Sequence, residues 1–380
     1  MRQIDDIVVG AGIWGCTVAR LLAEQGRKVL VLEKRDAIGG NCRCDIDPKT
    51  GIEVHLYGAH IFHTTHEDVW RFVSRFSDFN CYHHKVLSKI GNKAYFLPLG
   101  LALVNQFYGL NLTPSELPAF LKNEIGDVLN PEENFETKAI SLIGRKLYNA
   151  FIRGYTKKQW GRDPKELSAD IIKRLPVRAN YDLSYYNDIH QGIPLKGYAE
   201  MFKNMLNHPN ITVETGIDFK EWINRQSEGL KNLPVFYSGA IDELFDYKYG
   251  VLPWRSLRFE FETLGVQDHQ GTSVMNYPEE NVPYTRIHEF KHFHPEQRDV
   301  MDLDKTIICR EYPDDWKIGK EKYYPIENAE SSRILGLYQE EAKKHPNLTM
   351  GGRCGSYRYY DMDKAVKNAL DTVNFRTFNQ

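Results

Sequence analysis

The first apolar run, Ile7-Val-Val, leads directly into Gly10-Ala-Gly12-Ile-Trp-Gly15 and then into apolar positions at Ala19, Leu21 and Leu22, with Gly26 beyond them. This pattern reads as a buried strand, a glycine turn and a helix that stops where glycine fits the C′ position. Val29-Leu-Val-Leu is a second continuous apolar run, a buried strand that ends in Glu33. Continuous rather than alternating runs are what strands covered on both faces require, so the chain opens with a parallel βαβ unit.

Helical spacing takes over further on. Val69, Phe72, Val73 and Phe76 follow the i, i+3, i+4, i+7 rule behind Thr65, which is placed to cap them. Thr113-Pro-Ser-Glu116 reads as a capping box with proline at the first helical position, and it precedes Leu117, Phe120, Leu121, Ile125 and a stop at Gly126. A longer helix carries Ala139, Leu142, Ile143, Leu147 and Phe151. Glycine and proline break the pattern over 155–164, which predicts a mobile stretch before Ile171. The chain then returns to α/β character, with a helix over 198–206, a strand over 211–213, and a strand from Pro234 that runs into Ser238-Gly-Ala-Ile-Asp242. From Arg255 the period is two: Leu257, Phe259 and Phe261 alternate with Arg258, Glu260 and Glu262, and further strands are expected over 273–277 and 306–312. A helix over 329–344, a strand at 348–350 and a final helix behind Asp361 and Asp363 close the chain.

These elements predict an α/β protein with a discontinuous Rossmann-like nucleotide domain (1–84, 194–250 and 325–380). A helical domain with a mobile lid (99–180) and an antiparallel β-sheet domain (85–98, 181–193 and 251–324) interrupt it. The length of 380 residues suits two or three such units. A net charge of −2, from 49 basic and 51 acidic residues, gives no basic surplus for nucleic acid. Asp5 and Asp6 interrupt any secretory leader, and no apolar run approaches the ~18 residues of a spanning helix. No membrane insertion and a cytoplasmic location are expected. Six scattered cysteines read as reduced thiols, and Cys42-x-Cys44 lacks the second pair of a zinc site.

The chemistry begins at the glycines. Gly10 permits the tight turn, Gly12 lets backbone N–H groups approach a pyrophosphate, and Gly15 lets helix and strand pack closely. The helix N-terminus adds partial positive charge, and Glu33 is placed to accept the hydroxyls of a ribose. A second pair, Gly39-Gly40-Asn41, gives the backbone another close approach, which favours FAD over a nicotinamide cofactor. The turn before Asp242 belongs beside this site. His60 and His63, in a glycine-led loop, read as histidines beside the cofactor rather than metal ligands, and no metal site is predicted. Arg174 and Arg286, with Tyr155, Tyr181, Tyr185 and Tyr284 in the surrounding sequence, suit a pyrophosphate clamp, since guanidinium grips phosphate as a fork.

Several motifs then converge. Gly58-Ala-His60-Ile-Phe-His63-Thr, Lys158-Gln-Trp160, Asn276-Tyr-Pro, Pro283-Tyr-Thr-Arg286-Ile, Tyr323-Tyr-Pro, Gly351-Gly-Arg353 and Tyr359-Tyr-Asp361-Met-Asp363 occur in order along nearly the whole chain. In these the sequence resembles the bacterial UDP-galactopyranose mutases. The resemblance implies an FAD enzyme that interconverts UDP-galactopyranose and UDP-galactofuranose without net redox change and supplies precursors for cell-surface glycans. Reduced flavin N5 acts there as nucleophile at the anomeric carbon, so an external reductant is needed; a homodimer is also expected.

Carried over by motif, Arg174 and Arg286 neutralise the UDP pyrophosphate, helped by Tyr185, Tyr324 and Tyr359. Tyr155 and Trp160 form the uridine-side wall of the lid, and Asn276 and Asp361 join the substrate site. Arg255 is expected near flavin and sugar, His60 and His63 along the isoalloxazine. With the fingerprint glycines, the resemblance assigns the cofactor Ile13, Trp14, Lys34, Gly40, Asn41, Ile61, Asp242, Gly352, Arg353, Tyr359, Asp361 and Met362. Three other readings stay open: the same reaction on UDP-N-acetylgalactosamine, an amine-oxidase-like FAD oxidase, and a nonenzymatic nucleotide-sugar-binding protein.

Overall fold

The computed structural model describes residues 3–174 and 177–378; the side chains of 170, 173, 174 and 376–378 lie outside the description. Asp6–Val9 (β1), Ile13–Glu24 (α1) and Val29–Glu33 (β2) form the βαβ unit, with β1 and β2 parallel. They lie in a five-stranded sheet of order Leu348–Met350, Val235–Tyr237, β1, β2, Ile211–Thr215, parallel at every pairing. The apolar runs are continuous because both faces are covered. Val8, Val29, Val31 and Phe236 share a core with α1 and with helices Gly197–Leu206 and Met362–Phe378. Ile7, Val9, Leu30, Leu32, Val235 and Tyr237 face the other way, against Phe219, Trp222 and Leu244.

A seven-stranded sheet runs Tyr324–Pro325, Trp254–Leu264, Thr306–Asp315, Arg286–Glu289, Val274–Asn276, Val86–Ile90, Lys93–Phe96. It is antiparallel except where Val274–Asn276 lies parallel to Val86–Ile90, a strand that arrives from far earlier in the chain. Phe261, expected to point inward, is 43% exposed, because the alternation fades toward the end of its strand. Residues between 99 and 172 build a separate helical core around Leu101, Leu121, Ile143, Leu147 and Phe151.

Three local expectations are corrected. Thr65 caps nothing: the helix is Glu67–Val73, and the hydroxyl that accepts the His66 N–H belongs to Thr64, at the end of strand Phe62–Thr64. Thr113 and Glu116 do engage each other, but they close a turn in which the Thr113 carbonyl accepts two N–H groups, and the helix starts only at Leu117. The stretch from Tyr155 is helical rather than broken. Phe135–Leu147 passes through a π-type turn, Tyr148–Arg153, into Gly154–Trp160, and left-handed Gly161 ends the run. Among the described residues no helix is long and apolar enough to cross a membrane.

Candidate functional site

The sheet presents its ligand-binding edge where β1 gives way to α1. Gly10 has φ +93°, and a Cβ on Gly15 would lie 1.9 Å from the Gly10 carbonyl oxygen, so strand and helix meet here only as bare backbone. A Cβ on Gly40 would stand 3.0 Å from the Gly12 Cα, so the second glycine loop closes on the first. No side chain caps α1 and no acidic residue occupies its first turn. Its first N–H groups therefore remain available to an anion. Buried Glu33 accepts the Ala11 N–H at 2.7 Å and the Arg35 N–H at 2.9 Å, which leaves further lone pairs on each oxygen. An uncapped helix N-terminus, a double glycine cradle and a carboxylate at the end of β2 together fit a dinucleotide.

The other cofactor residues named from the sequence divide into two groups. Gly352, at φ +68°, packs against Ser238 and Trp14 beside the cradle. Arg353 donates to the carbonyls of Tyr323 and Tyr360 and lies over the Tyr359 ring, 4.8 Å from its centroid. Asn41 accepts from Arg35, and Met362 begins the last helix. The side chains of Ile13, Trp14 and Ile61 are in the core instead, and the Trp14 indole donates to Asn368 at 2.7 Å. Lys34 points outward to Asp218 and Glu243. Asp242 is fully buried, and its carboxylate accepts the Leu252 and Glu243 N–H groups. The structure turns Asp242 away from open space because it holds its own turn.

The second constellation surrounds Arg286. Its guanidinium donates to the Tyr155 hydroxyl and lies 3.4 Å from the Glu311 carboxylate. Burial works to raise the Glu311 pKa, but Arg286 and His288 bring it below the ordinary carboxylate value. Tyr155, Tyr185 and Tyr324 all lie within electrostatic reach of Arg286. Tyr324 stacks on Tyr359 at 5.9 Å and tilts toward Trp160 at 6.3 Å. Asn276 faces Arg286 across the strand pair, and its side-chain oxygen is buried without a partner. Asp361 adjoins Tyr185 and Tyr186 electrostatically. The structure thus brings Tyr155, Trp160, Tyr185, Asn276, Arg286, Tyr324, Tyr359 and Asp361 to one cleft, rich in phenols and guanidinium as a diphosphate requires.

Other expectations are corrected by position. Arg255 is 5% exposed and its guanidinium is taken up by protein groups: it donates to the Gln159 carbonyl at 3.0 Å and pairs with Asp315, which anchors the C-terminus of helix Gly154–Trp160. A cation there also suits the negative end of the helix dipole. Tyr181 is 63% exposed, and Tyr284 packs on Tyr277, so neither joins the clamp. The Arg174 side chain lies outside the described residues; its backbone ends the short helical turn Ala169–Arg174. His60 sits in the loop, its N–H held by His55 at 3.0 Å and its ring by the Gly58 carbonyl at 2.7 Å. Burial drives its pKa down to about 3. His63 belongs to strand Phe62–Thr64 rather than to a loop, and its Nδ1 meets Asp188.

Four further residues shape the cleft unannounced. Lys158 donates to the carbonyls of Tyr277, Glu279, Val282 and Tyr284, which fastens the Tyr155 helix to the loop that precedes Arg286. Arg178 gathers the carbonyls of Asp182, Ser184 and Tyr186 and so folds the loop that presents Tyr185. Glu311 and Asp188 are carboxylates whose partners are distant in sequence. Only Lys158 carried a signal, as the unexplained lysine of Lys-Gln-Trp.

Comparison with known proteins gives the family and the fold. Residues 150–359 match the family model for UDP-galactopyranose mutase, and residues 8–76 match that for an NAD(P)-binding Rossmann-like domain. A dTDP-fucopyranose mutase of Escherichia coli is 40% identical over 370 residues, covering 96% of each chain. A Klebsiella pneumoniae protein named as a probable UDP-galactopyranose mutase is 40% identical over 375 residues, covering 98% of this chain and 95% of its own. A crystal structure of reduced UDP-galactopyranose mutase shares the fold with TM-score 0.74 at 15% identity, over 100% of this chain and 96% of that one. Near-complete coverage at this identity, on a chain that folds a nucleotide cradle beside an arginine–tyrosine cleft, shows that it belongs to the UDP-galactopyranose mutase family.

Proposed function

We propose that this enzyme interconverts UDP-galactopyranose and UDP-galactofuranose, with FAD in the glycine cradle and the UDP diphosphate against Arg286. The observation that carries the reading is the Arg286 cleft, where a guanidinium backed by Glu311 is ringed by Tyr155, Tyr185 and Tyr324. Reduced FAD supplies the nucleophile, N5, for the anomeric carbon. The residues do the rest. Arg286 and the phenols offset the charge that develops on departing UDP, Trp160 and Tyr155 wall the uridine side, and α1 with Glu33 holds the cofactor. Arg174, at the end of the lid segment, completes the diphosphate clamp. The second glycine loop at Gly40 favours FAD over the nicotinamide that the Rossmann model's description names. An external reductant and a homodimer belong to the same proposal, as does the role of His63 beside the flavin.

The equal identity to a dTDP-fucopyranose mutase favours one second reading, a dTDP-6-deoxysugar in place of UDP-galactose. Relatives spanning the chain are named mutases, so an oxidase is not favoured. The test is anaerobic incubation of dithionite-reduced protein with UDP-galactofuranose and with dTDP-fucofuranose, followed by chromatography. Conversion of the first, many turnovers per flavin and none in the air-oxidised protein are expected. Conversion of dTDP-fucofuranose alone would transfer the assignment, and one turnover per flavin would end the redox-neutral mechanism.

A further inference from the structure

We propose that Asp188 is a positioning residue for the reaction, holding His63 as the tautomer protonated at Nδ1 so that a bare Nε2 faces the cleft as an acceptor for a sugar hydroxyl. The inference rests on the mutase reading above. Its ground is a side-chain pair that no motif contains: His63 Nδ1 and Asp188 Oδ2 are 2.5 Å apart. An ionised carboxylate only accepts, so the proton between them belongs to the imidazole. A carboxylate that takes one ring N–H fixes which nitrogen is free on the other side.

The ring cannot swing out of this arrangement. Tyr186 stacks on it with centroids 3.6 Å apart and planes 12° from parallel. His63 pairs in register with Gln191, whose side-chain amide donates to the Asp188 carbonyl at 3.0 Å, so the ribbon that carries His63 also holds the backbone of Asp188, two residues before its second strand. Among the described residues Nε2 makes no hydrogen bond, and the His63 side chain keeps 12% of its surface open. Tyr186 lies within electrostatic reach of Tyr185, Asp361, Tyr359 and Arg286, which places the dyad at the margin of the cleft. Contraction of a pyranose to a furanose frees one ring hydroxyl and consumes another, so an acceptor held in a single tautomer discriminates among hydroxyls that a freely exchanging imidazole would treat alike.

The test reads the tautomer directly, by long-range proton–nitrogen NMR on histidine-labelled holoenzyme, with the His63 signal assigned through His63→Gln. Wild type should show Nδ1–H. In Asp188→Asn the amide can offer its own N–H to Nδ1, so the proton should move to Nε2. Turnover (kcat) should then fall about 10–100-fold, the scale of losing a group that orients a functional histidine elsewhere, while flavin content and UDP affinity stay at wild-type values. Asp188→Glu should keep Nδ1–H and recover part of the rate; it also serves if the asparagine variant does not fold. An Nε2–H tautomer in wild type, an unchanged tautomer in Asp188→Asn, or unchanged turnover in that variant overturns the proposal. Failure of the mutase reading is separable, because a wild type inert toward every nucleotide sugar would still report its His63 tautomer.

Discussion

The glycine cradle and the Arg286 cleft, the two places proposed to take phosphate, are built by opposite means. The cradle is backbone: Gly10, Gly12, Gly15 and Gly40 contribute by lacking side chains, and all lie within the first forty residues. The cleft is side chains, with Tyr155 on a helix, Arg286 and Glu311 on neighbouring strands and Tyr324 and Tyr359 from later segments. A backbone site tolerates no added atoms, whereas a side-chain site is sensitive to lost ones. The first should therefore fail completely on small additions, and the second by degrees on deletions.

The largest effect is expected in the cradle, where two glycines separate folding from binding. Gly15→Ala should abolish folded protein, since its Cβ would fall 1.9 Å from the Gly10 carbonyl oxygen. Gly12 differs. Its φ of −77° suits any residue and its Cβ would meet only the Gly40 Cα, at 3.8 Å, which is ordinary contact. Gly12→Val should fold and purify colourless, because what the branched side chain fills is the space for phosphate. Absorbance and melting temperature check both, and a yellow Gly12→Val protein would remove the cofactor from this turn.

Next in size is the cleft. Arg286→Ala should keep its flavin and lose roughly 10²–10³ in kcat, the ~2.7–4 kcal/mol of a donor aimed at developing charge. Arg174→Ala should behave alike if its side chain completes the clamp. Arg286→Ala also leaves Glu311, which is 3% exposed, with His288 and Thr285 but no guanidinium, so a lower melting point should accompany the lost rate. Wild-type turnover in either variant would return that arginine to the surface.

The same contrast explains what the sequence could disclose. A site built from one contiguous backbone turn is written contiguously, and the apolar runs of β1 and β2 with Gly26 behind them specified the βαβ unit in full. The cleft depends on pairings between distant strands, so Arg286 was visible as a motif residue while its partner Glu311 was not. Arg255 shows the limit most clearly. Its motif resembled a site, but whether a guanidinium faces a ligand or a helix terminus depends on where helix Gly154–Trp160 docks. Tyr155 escaped the pattern for a related reason: tertiary anchoring by Lys158 and Arg255 keeps helical a stretch whose glycine and proline content argued otherwise.

Three histidines, two of them buried and His60 partly so, are kept neutral by the fold, and acid should work against it. Burial drives His55 down to about 4 and both His60 and His84 to about 3. Each is neutral in the fold and titrates near 6.5 when unfolded, so the unfolded chain takes up protons first. Stability is then full above about pH 6.5 and falls with pH toward the folded values, by up to about 1.4 kcal/mol per pH unit for each histidine. His292 and His294, which acidic partners raise despite burial, act in the other direction, but their contribution is already complete below about pH 6.5 and offsets nothing there. Melting temperature should drop steadily from about pH 6.5 to 5, less steeply in His84→Asn; a flat profile would contradict the neutral state of these histidines in the fold.

The smallest effect is expected at Arg255, where resemblance and structure make different predictions. A residue beside flavin and sugar would act on the reacting atoms, and Arg255→Ala would then lower kcat about 100-fold or more with little change in UDP affinity. The structure instead gives Arg255 the carbonyl of Gln159, next to Trp160, together with Asp315. Its removal leaves a helix terminus short of a charged donor, worth about 1.5–3 kcal/mol where the carbonyl stays buried and less where water replaces it. That loss falls on the docking of Trp160 and Tyr155, hence on substrate binding. We expect UDP affinity to fall about tenfold, ~1.4 kcal/mol, with kcat at saturation within about twofold of wild type, and Arg255→Lys to recover part of the affinity by still reaching one carbonyl. Titration of UDP by quenching of Trp160 fluorescence, set beside kcat at saturating substrate, gives the split. A fall in kcat at unchanged affinity would place Arg255 back among the groups that touch the substrate.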